Sequence, residues 1–120
     1  MDNESYLEID ELGTKYWKNK KGLHRINGPA IEYSSGSKEW YQNGKRHRLD
    51  GPAIEWKDGT KEWWQNDKRH RLDGPSYIHS NGTKYWYKNG ALFKNKESFF
   101  DALTEEEKEI ALFLKDFFDV

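Results

Sequence analysis

The chain has 120 residues, including six Trp, seven Tyr and six Phe, no cysteine, and a formal net charge of −1. A mean hydropathy of −1.17 would suit a disordered segment, but disordered chains are poor in aromatics, so one small folded domain is expected. The absence of cysteine excludes a disulfide framework and Cys-ligated zinc, and with no apolar run near ~18 residues and no signal-like start the expected protein is soluble and cytoplasmic.

Charge divides the chain into three. Residues 1–12 carry five acids and no Lys or Arg, residues 13–94 carry 17 basic against 8 acidic side chains, and residues 95–120 carry 3 against 8. A basic middle therefore lies between an acidic N-terminal segment and an acidic C-terminal one, a division that bears on partners rather than on fold.

The middle repeats with a period of 23 residues: Gly13-Thr14-Lys15, Gly36-Ser37-Lys38, Gly59-Thr60-Lys61 and Gly82-Thr83-Lys84 superpose, as do Trp17, Trp40, Trp63 and Trp86. His24-Arg25, His47-Arg48 and His70-Arg71 follow in step, each leading to Gly-Pro at Gly28, Gly51 and Gly74. A period of this length marks a repeat array, here three full copies and a partial fourth over 13–94.

Each copy holds two turn signals. Ser35-Gly36, Asp58-Gly59 and Asn81-Gly82 mark the first, and Asn43-Gly44 and Asn89-Gly90 the second; Asx-Gly pairs favour the φ > 0 hairpin turn. Gly-Pro should open the next strand, since Pro fits a strand's first residue and not its middle. Strands are predicted over 53–56 and 61–65, with a shorter strand or extended connection over 69–72, giving an elongated antiparallel β-meander of hairpin repeats.

A two-residue turn at Asn43-Gly44 sets Trp40 opposite His47 and Glu39 opposite Arg48, and the next copy repeats this as Trp63 with His70 and Glu62 with Arg71. Side chains alternate across a strand, so a Trp/His ladder and a Glu/Arg ladder are expected on opposite faces. The register of the Asp58-Gly59 turn stays open, because a one-residue bulge there would change which face Ile54 and Trp56 share with the Trp ladder. With few aliphatic residues in the array, the core is expected to rest mainly on the four ladder tryptophans, aided by Ile31 and Ile54.

The last segment is helical in pattern. Asn95 can cap a short helix through 98–103, and Thr104 with Glu107 forms a capping box for a helix over about 105–119, whose stripe is Ile110, Leu114 and Phe117 beside Phe113 and Phe118. Its width suits either a cap on the last repeat or a surface for partners, including homodimerisation.

The run Lys38-Glu39-Trp40-Tyr41-Gln42-Asn43-Gly44-Lys45-Arg46-His47 resembles the MORN repeat, also 23 residues long, whose hairpins carry an aromatic, then Asn/Asp-Gly-Lys, then a His. Where MORN copies usually read His-Gly-x-Gly, this chain reads His47-Arg48-Leu49-Asp50-Gly51-Pro52, similar to the divergent variant in bacterial and bacteriophage proteins. The resemblance covers about residues 13–94. It implies an elongated twisted antiparallel sheet and a role as a lipid-associated scaffold or protein-interaction module.

Chemistry is not expected at the histidines. Equivalent positions two or three strands apart are ~10–14 Å from one another, too far to share a zinc ion, and no nucleophile recurs beside them. No metal, cofactor or catalytic residue is expected. The expected function is a non-enzymatic interaction module that binds, and so can inhibit, another protein through the sheet or the C-terminal helix. Its contact residues would be Lys38, Tyr41, Arg48, Lys61, Trp64, Arg71 and Tyr87, with Tyr41, Trp64 and Tyr87 as exposed anchors or, equally, as a second aromatic layer. The alternative is nucleic acid or a charged nucleotide on a basic aromatic face. A membrane surface is disfavoured because the long helix is acidic.

Overall fold

The computed structural model describes residues 5–113. The chain is mainly β: β1 (Tyr6–Ile9), β2 (Lys15–Asn19), β3 (Gly22–Leu23), β4 (Ile31–Glu32), β5 (Lys38–Glu39), β6 (Tyr41–Gln42), β7 (Lys45–Arg46), β8 (Ile54–Glu55), β9 (Lys61–Glu62), β10 (Trp64–Gln65), β11 (Lys68–Arg69), β12 (Tyr77–Ile78), β13 (Lys84–Lys88) and β14 (Ala91–Phe93). Two helices follow, α1 (Lys96–Asp101) and α2 (Glu105–Phe113). One open antiparallel sheet runs β1-β2-β4-β5-β8-β9-β12-β13-β14 with β3 also on β2, while β6-β7 and β10-β11 form separate two-stranded ribbons. The result is an unclosed meander in a slab of 46 × 34 × 22 Å.

The two turns of a copy do different jobs. At the second, Asn43 and Gly44 have φ of 50° and 82°, as do Asn89 (48°) and Gly90 (86°), so both central residues are left-handed and the tight two-residue hairpin forms. Tyr41 faces Arg46 and Trp64 faces Arg69, the register read from the sequence. At the first turn only the glycine is left-handed (Gly36 103°, Gly59 95°). There Trp56 N donates to Thr60 O and Gly59 N to Trp56 O, a three-residue loop with the glycine in a bulge. That bulge settles the open register: Ile54 pairs with Glu62, and so points away from the Trp ladder.

The strand predicted over 61–65 breaks at Trp63. Its N–H donates to Ser76 O in the long sheet and its carbonyl accepts from His70 N in the ribbon, which makes it the corner where the chain leaves one for the other. Beyond His47 the chain leaves its ribbon as well: Arg48 N donates to Trp64 O of the next copy. The strand expected over 69–72 is accordingly the shorter β11.

Two rows of paired residues cross the sheet from β1 to β13. One is Glu8, Tyr16, Ile31, Glu39, Ile54, Glu62, Tyr77, Tyr85; the other is Ile9, Lys15, Glu32, Lys38, Glu55, Lys61, Ile78, Lys84. Neighbouring residues on a strand point to opposite sides, so an aromatic and carboxylate face backs a Lys–Glu face.

The core differs from the Trp layer expected. Trp17, Trp40, Trp63 and Trp86 are half-buried; the buried positions of the array include Ala30, Ile31, Tyr41, Ala53, Ile54 and Ser76, together with Thr14, His24, Ser37, Glu39, Thr60 and Glu62. A sheet one layer thick has no second layer to enclose an indole, so each array tryptophan keeps one face for another partner.

Successive copies are joined by side chains that accept backbone amides. Nδ1 of His24, His47 and His70 accepts from Asn43 N (2.9 Å), Asn66 N (3.1 Å) and Asn89 N (3.0 Å). Thr14, Ser37 and Thr60 hydroxyls accept from Ser34 N, Lys57 N and Ser80 N in the same way. These bonds satisfy amides in tight turns that no ladder reaches, and they explain why His and Gly-Thr/Ser-Lys recur. The recurrent second-turn glycine has its own reason at Gly44, where an added Cβ would lie 2.6 Å from Lys21 O at a left-handed φ.

The C-terminal segment caps the array. Asn95 accepts from Ser98 N and Ser98 Oγ accepts from Asn95 N, a reciprocal cap for α1, and Thr104 with Glu107 forms the capping box of α2. Phe99, Leu103 and Ala111 are buried against Leu72, Trp86, Phe93 and Phe100. The expected continuation of the helix through Leu114, Phe117 and Phe118 lies outside the described residues.

Candidate functional site

The contact residues named from the sequence fall on two faces instead of one. Lys38, Lys61, Arg48 and Arg71 lie with the ladder tryptophans; Tyr41, Trp64 and Tyr87 lie on the other side with the buried glutamates.

On the first face each arginine after the His is stacked on a tryptophan. The guanidinium carbon lies 3.7 Å from the ring centroid for Arg25 on Trp17, 3.9 Å for Arg48 on Trp40 and 4.1 Å for Arg71 on Trp63. This corrects the expected Glu39–Arg48 and Glu62–Arg71 ladder: the chain has left the strand at that point, so the arginine folds back over its own indole. Arg48 donates to Asp50 (2.9 Å), Pro52 O (3.0 Å) and Glu55 (3.1 Å). Its guanidinium passes so close to Gly51 that an added Cβ would lie 2.9 Å from Cζ, which is why glycine precedes the proline. Asp50 serves the arginine, and the Arg48 bond holds its carboxyl below the ordinary range. Lys38 stands between Glu32 and Glu55 in its row, so the charge of this face is largely matched within the sheet.

On the second face the glutamates are hubs. Glu39, 4% exposed, accepts from the hydroxyls of Tyr33 and Tyr41 and from Arg46 Nε (3.3 Å). Burial, reinforced by the Glu39 carboxylate, pushes the Tyr41 phenol up to about 12. Glu62 accepts from the indole N–H groups of Trp56 (2.8 Å) and Trp64 (3.0 Å) and from Arg69 Nη2 (3.2 Å). Arg46 lies 5.6 Å from the Tyr41 ring and 5.2 Å from Trp64, and Arg69 lies 5.0 Å from Trp64 and 5.3 Å from Tyr87. Aromatic and guanidinium groups thus alternate along the slab, which makes Tyr41 a packed member of the row and not an exposed anchor.

Sequence reading missed Arg46, Arg69, Trp56 and Tyr85. The signal lay in the period: positions holding Glu39 and Glu62 read Tyr16 and Tyr85 in the outer copies, and those holding Arg46 and Arg69 read Leu23 and Leu92. The carboxylate and the cation come and go together, as a bonded pair would.

Two clefts open on this face where the third and fourth copies meet. One, of about 340 Å³, is lined by Arg69, Tyr77, His79, Asn81, Tyr85 and Tyr87 among others; the other shares Arg69, Tyr77 and His79 with it and extends past Trp56 and Glu62. Trp56 and Tyr85 are 41% and 43% exposed. Among the described residues no group of three or more metal-ligating side chains converges, and no helix is long and apolar enough to cross a membrane.

His70 carries a testable pH dependence. His70 Nδ1 must stay unprotonated to accept from Asn89 N, and burial draws its pKa below the ordinary 6.5. Between that lowered value and 6.5 the unfolded chain binds more protons than the folded one, so stability is lost as pH falls through this window. Thermal melts of the protein should therefore shift to lower temperature from about pH 7 to pH 5, and less so for His70→Gln; equal shifts for both chains would remove His70 as a cause.

Comparison with protein-family models, with curated proteins and with solved structures finds no match to the chain.

Proposed function

We propose that the protein is a non-enzymatic, MORN-like interaction module that binds, and can thereby inhibit, another protein. The supporting observation is the second sheet face, where Trp56, Trp64 and Tyr87 are ordered by Arg46, Arg69 and the buried Glu62, with the exposed Tyr85 beside them against Tyr77. Large aromatic and arginine side chains with few freedoms to lose dominate binding hot spots, and here their orientation is set before any partner arrives. The first face supports the nucleic-acid alternative less well. Its lysines alternate with Glu32 and Glu55, and its arginines are committed to their tryptophans, so a phosphate backbone would find few unmatched cations.

Affinity capture from a bacterial lysate, with and without nuclease, tests the reading. Retention of a discrete protein partner after nuclease, and its loss with Trp56→Ala and Tyr85→Ala in a folded chain, is the expected result. Loss of every partner after nuclease would transfer the function to nucleic acid.

A further inference from the structure

The repeat itself indicates what the cleft between the third and fourth copies takes. In the first three copies the second face contains a carboxylate of the chain's own. Asp10 accepts from the Tyr16 hydroxyl (3.2 Å), Glu39 from Tyr33, Tyr41 and Arg46, and Glu62 from Trp56, Trp64 and Arg69. The fourth copy has none: the places of Asp10, Tyr33 and Trp56 are taken by His79, those of Glu39 and Glu62 by Tyr85, and those of Tyr41 and Trp64 by Tyr87.

The donors remain although the acceptor is gone. Tyr77 lies 5.7 Å from Tyr85 and 6.3 Å from His79 between ring centroids, and Arg69 lies 5.5 Å and 5.3 Å from the Tyr77 and Tyr87 rings. Among the described residues the hydroxyls of Tyr77, Tyr85 and Tyr87 have no protein acceptor. Arg69 uses Nε and Nη2 on Glu62 and keeps Nη1 free. His79 accepts a turn amide on Nδ1, which leaves Nε2–H as a further donor. All of these side chains except Glu62 line the 340 Å³ cleft.

We propose that this cleft is a binding site for a carboxylate of an acidic peptide segment, an aspartate or glutamate side chain of a partner protein, which supplies from outside the acceptor the first three copies carry within. The inference rests on the protein-binding function proposed above and names the chemistry of the partner. A carboxylate fits better than a phosphate, because Arg69 already shares its charge with Glu62, and a dianion would need more cation than one shared guanidinium gives. The volume, at the lower end of ligand pockets, suits one side chain with its flanking backbone.

The test uses the full chain with three fluorescein-labelled probes in anisotropy titrations: hexaglutamate, hexaglutamine and a single-stranded hexathymidylate. Hexaglutamate should bind and hexaglutamine should not. Tyr85→Phe with Tyr87→Phe keeps both rings and removes two donors, and should weaken hexaglutamate binding roughly tenfold or more, as expected for hydrogen bonds to a charged group. Tyr85→Glu restores the internal carboxylate and should abolish binding while the melting transition persists. Lys15→Gln, in the Lys–Glu row of the opposite face, should leave binding within about twofold once salt screening is matched.

Equal binding of hexaglutamate and hexaglutamine, unchanged binding in the double Phe variant, loss in the lysine variant instead, or tighter binding of hexathymidylate in the cleft would each overturn the proposal. The two readings fail separately. A protein partner captured from lysate equally by the wild-type chain and by Tyr85→Glu leaves the interaction module standing and removes the carboxylate site, whereas loss of all partners after nuclease removes the module.

Discussion

Replacing Glu62 by alanine is expected to destabilise the protein by about 3 kcal/mol, more than most single substitutions. Glu62 is 6% exposed, and three donors converge on it, the indoles of Trp56 and Trp64 and the Arg69 guanidinium. Removing the carboxylate leaves two indole N–H groups and a cation without their acceptor. The Arg69 side chain is 34% exposed, so water takes up part of that loss, which keeps the figure below the upper end for buried pairs.

The outer copies carry the control. There the same two positions read Tyr16 with Leu23 and Tyr85 with Leu92, an apolar solution to the same packing problem. The double substitution Glu62→Tyr with Arg69→Leu should therefore recover at least half of the stability lost by Glu62→Ala, as replacement of an ion pair by apolar groups often does. Urea unfolding of the three chains measures this. If the double variant is as unstable as the single one, the carboxylate is not acting as the partner of Arg69 and the hub description is wrong.

The same pair shows what the sequence made legible. Repeat length, the second-turn register and the capped C-terminus were readable because each is fixed locally: two left-handed residues determine a two-residue hairpin, and Asn95 and Thr104 bond to amides three residues away. The placement of Arg48 and Arg71 was not readable from strand alternation, because alternation holds only while the chain stays in a strand and it leaves at His47 and His70. The first-turn register depended on whether the glycine sits inside the turn or in a bulge after it, which Asp58-Gly59 alone leaves open. Once that bulge is known, Ile54, Trp56 and Glu62 move to one face and Lys61 and Trp63 to the other, and the expected site divides in two. Half-burial of the tryptophans follows from the single-layer sheet, and this layer count is a property of the assembled array, not of any window of residues.

That array also determines how damage spreads, since each copy touches only its neighbours and stability is close to a sum of local terms. Phe99→Ala is expected to cost about 3–5 kcal/mol in the region it covers. The ring is fully buried, meets Phe93 edge-on with centroids 5.6 Å apart, and packs in one cluster with Leu103 and Ala111. It also stands in for a missing arginine. Trp17, Trp40 and Trp63 are each covered by a guanidinium, but the residue at that place for Trp86 is Lys94, which is exposed, and Trp86 packs instead against the Phe99 cluster. Emptying the Phe99 site therefore uncovers the last tryptophan as well as leaving a cavity, and the fourth copy has no neighbour beyond it to share the loss. Hydrogen exchange should show protection falling first in β12, β13 and β14, while β4, β5, β8 and β9, held by their own stacked arginines and His–amide bonds, keep most of theirs. Uniform loss of protection over all seven strands would mean that the sheet unfolds as one cooperative unit, and that α1 stabilises the whole array instead of closing its end.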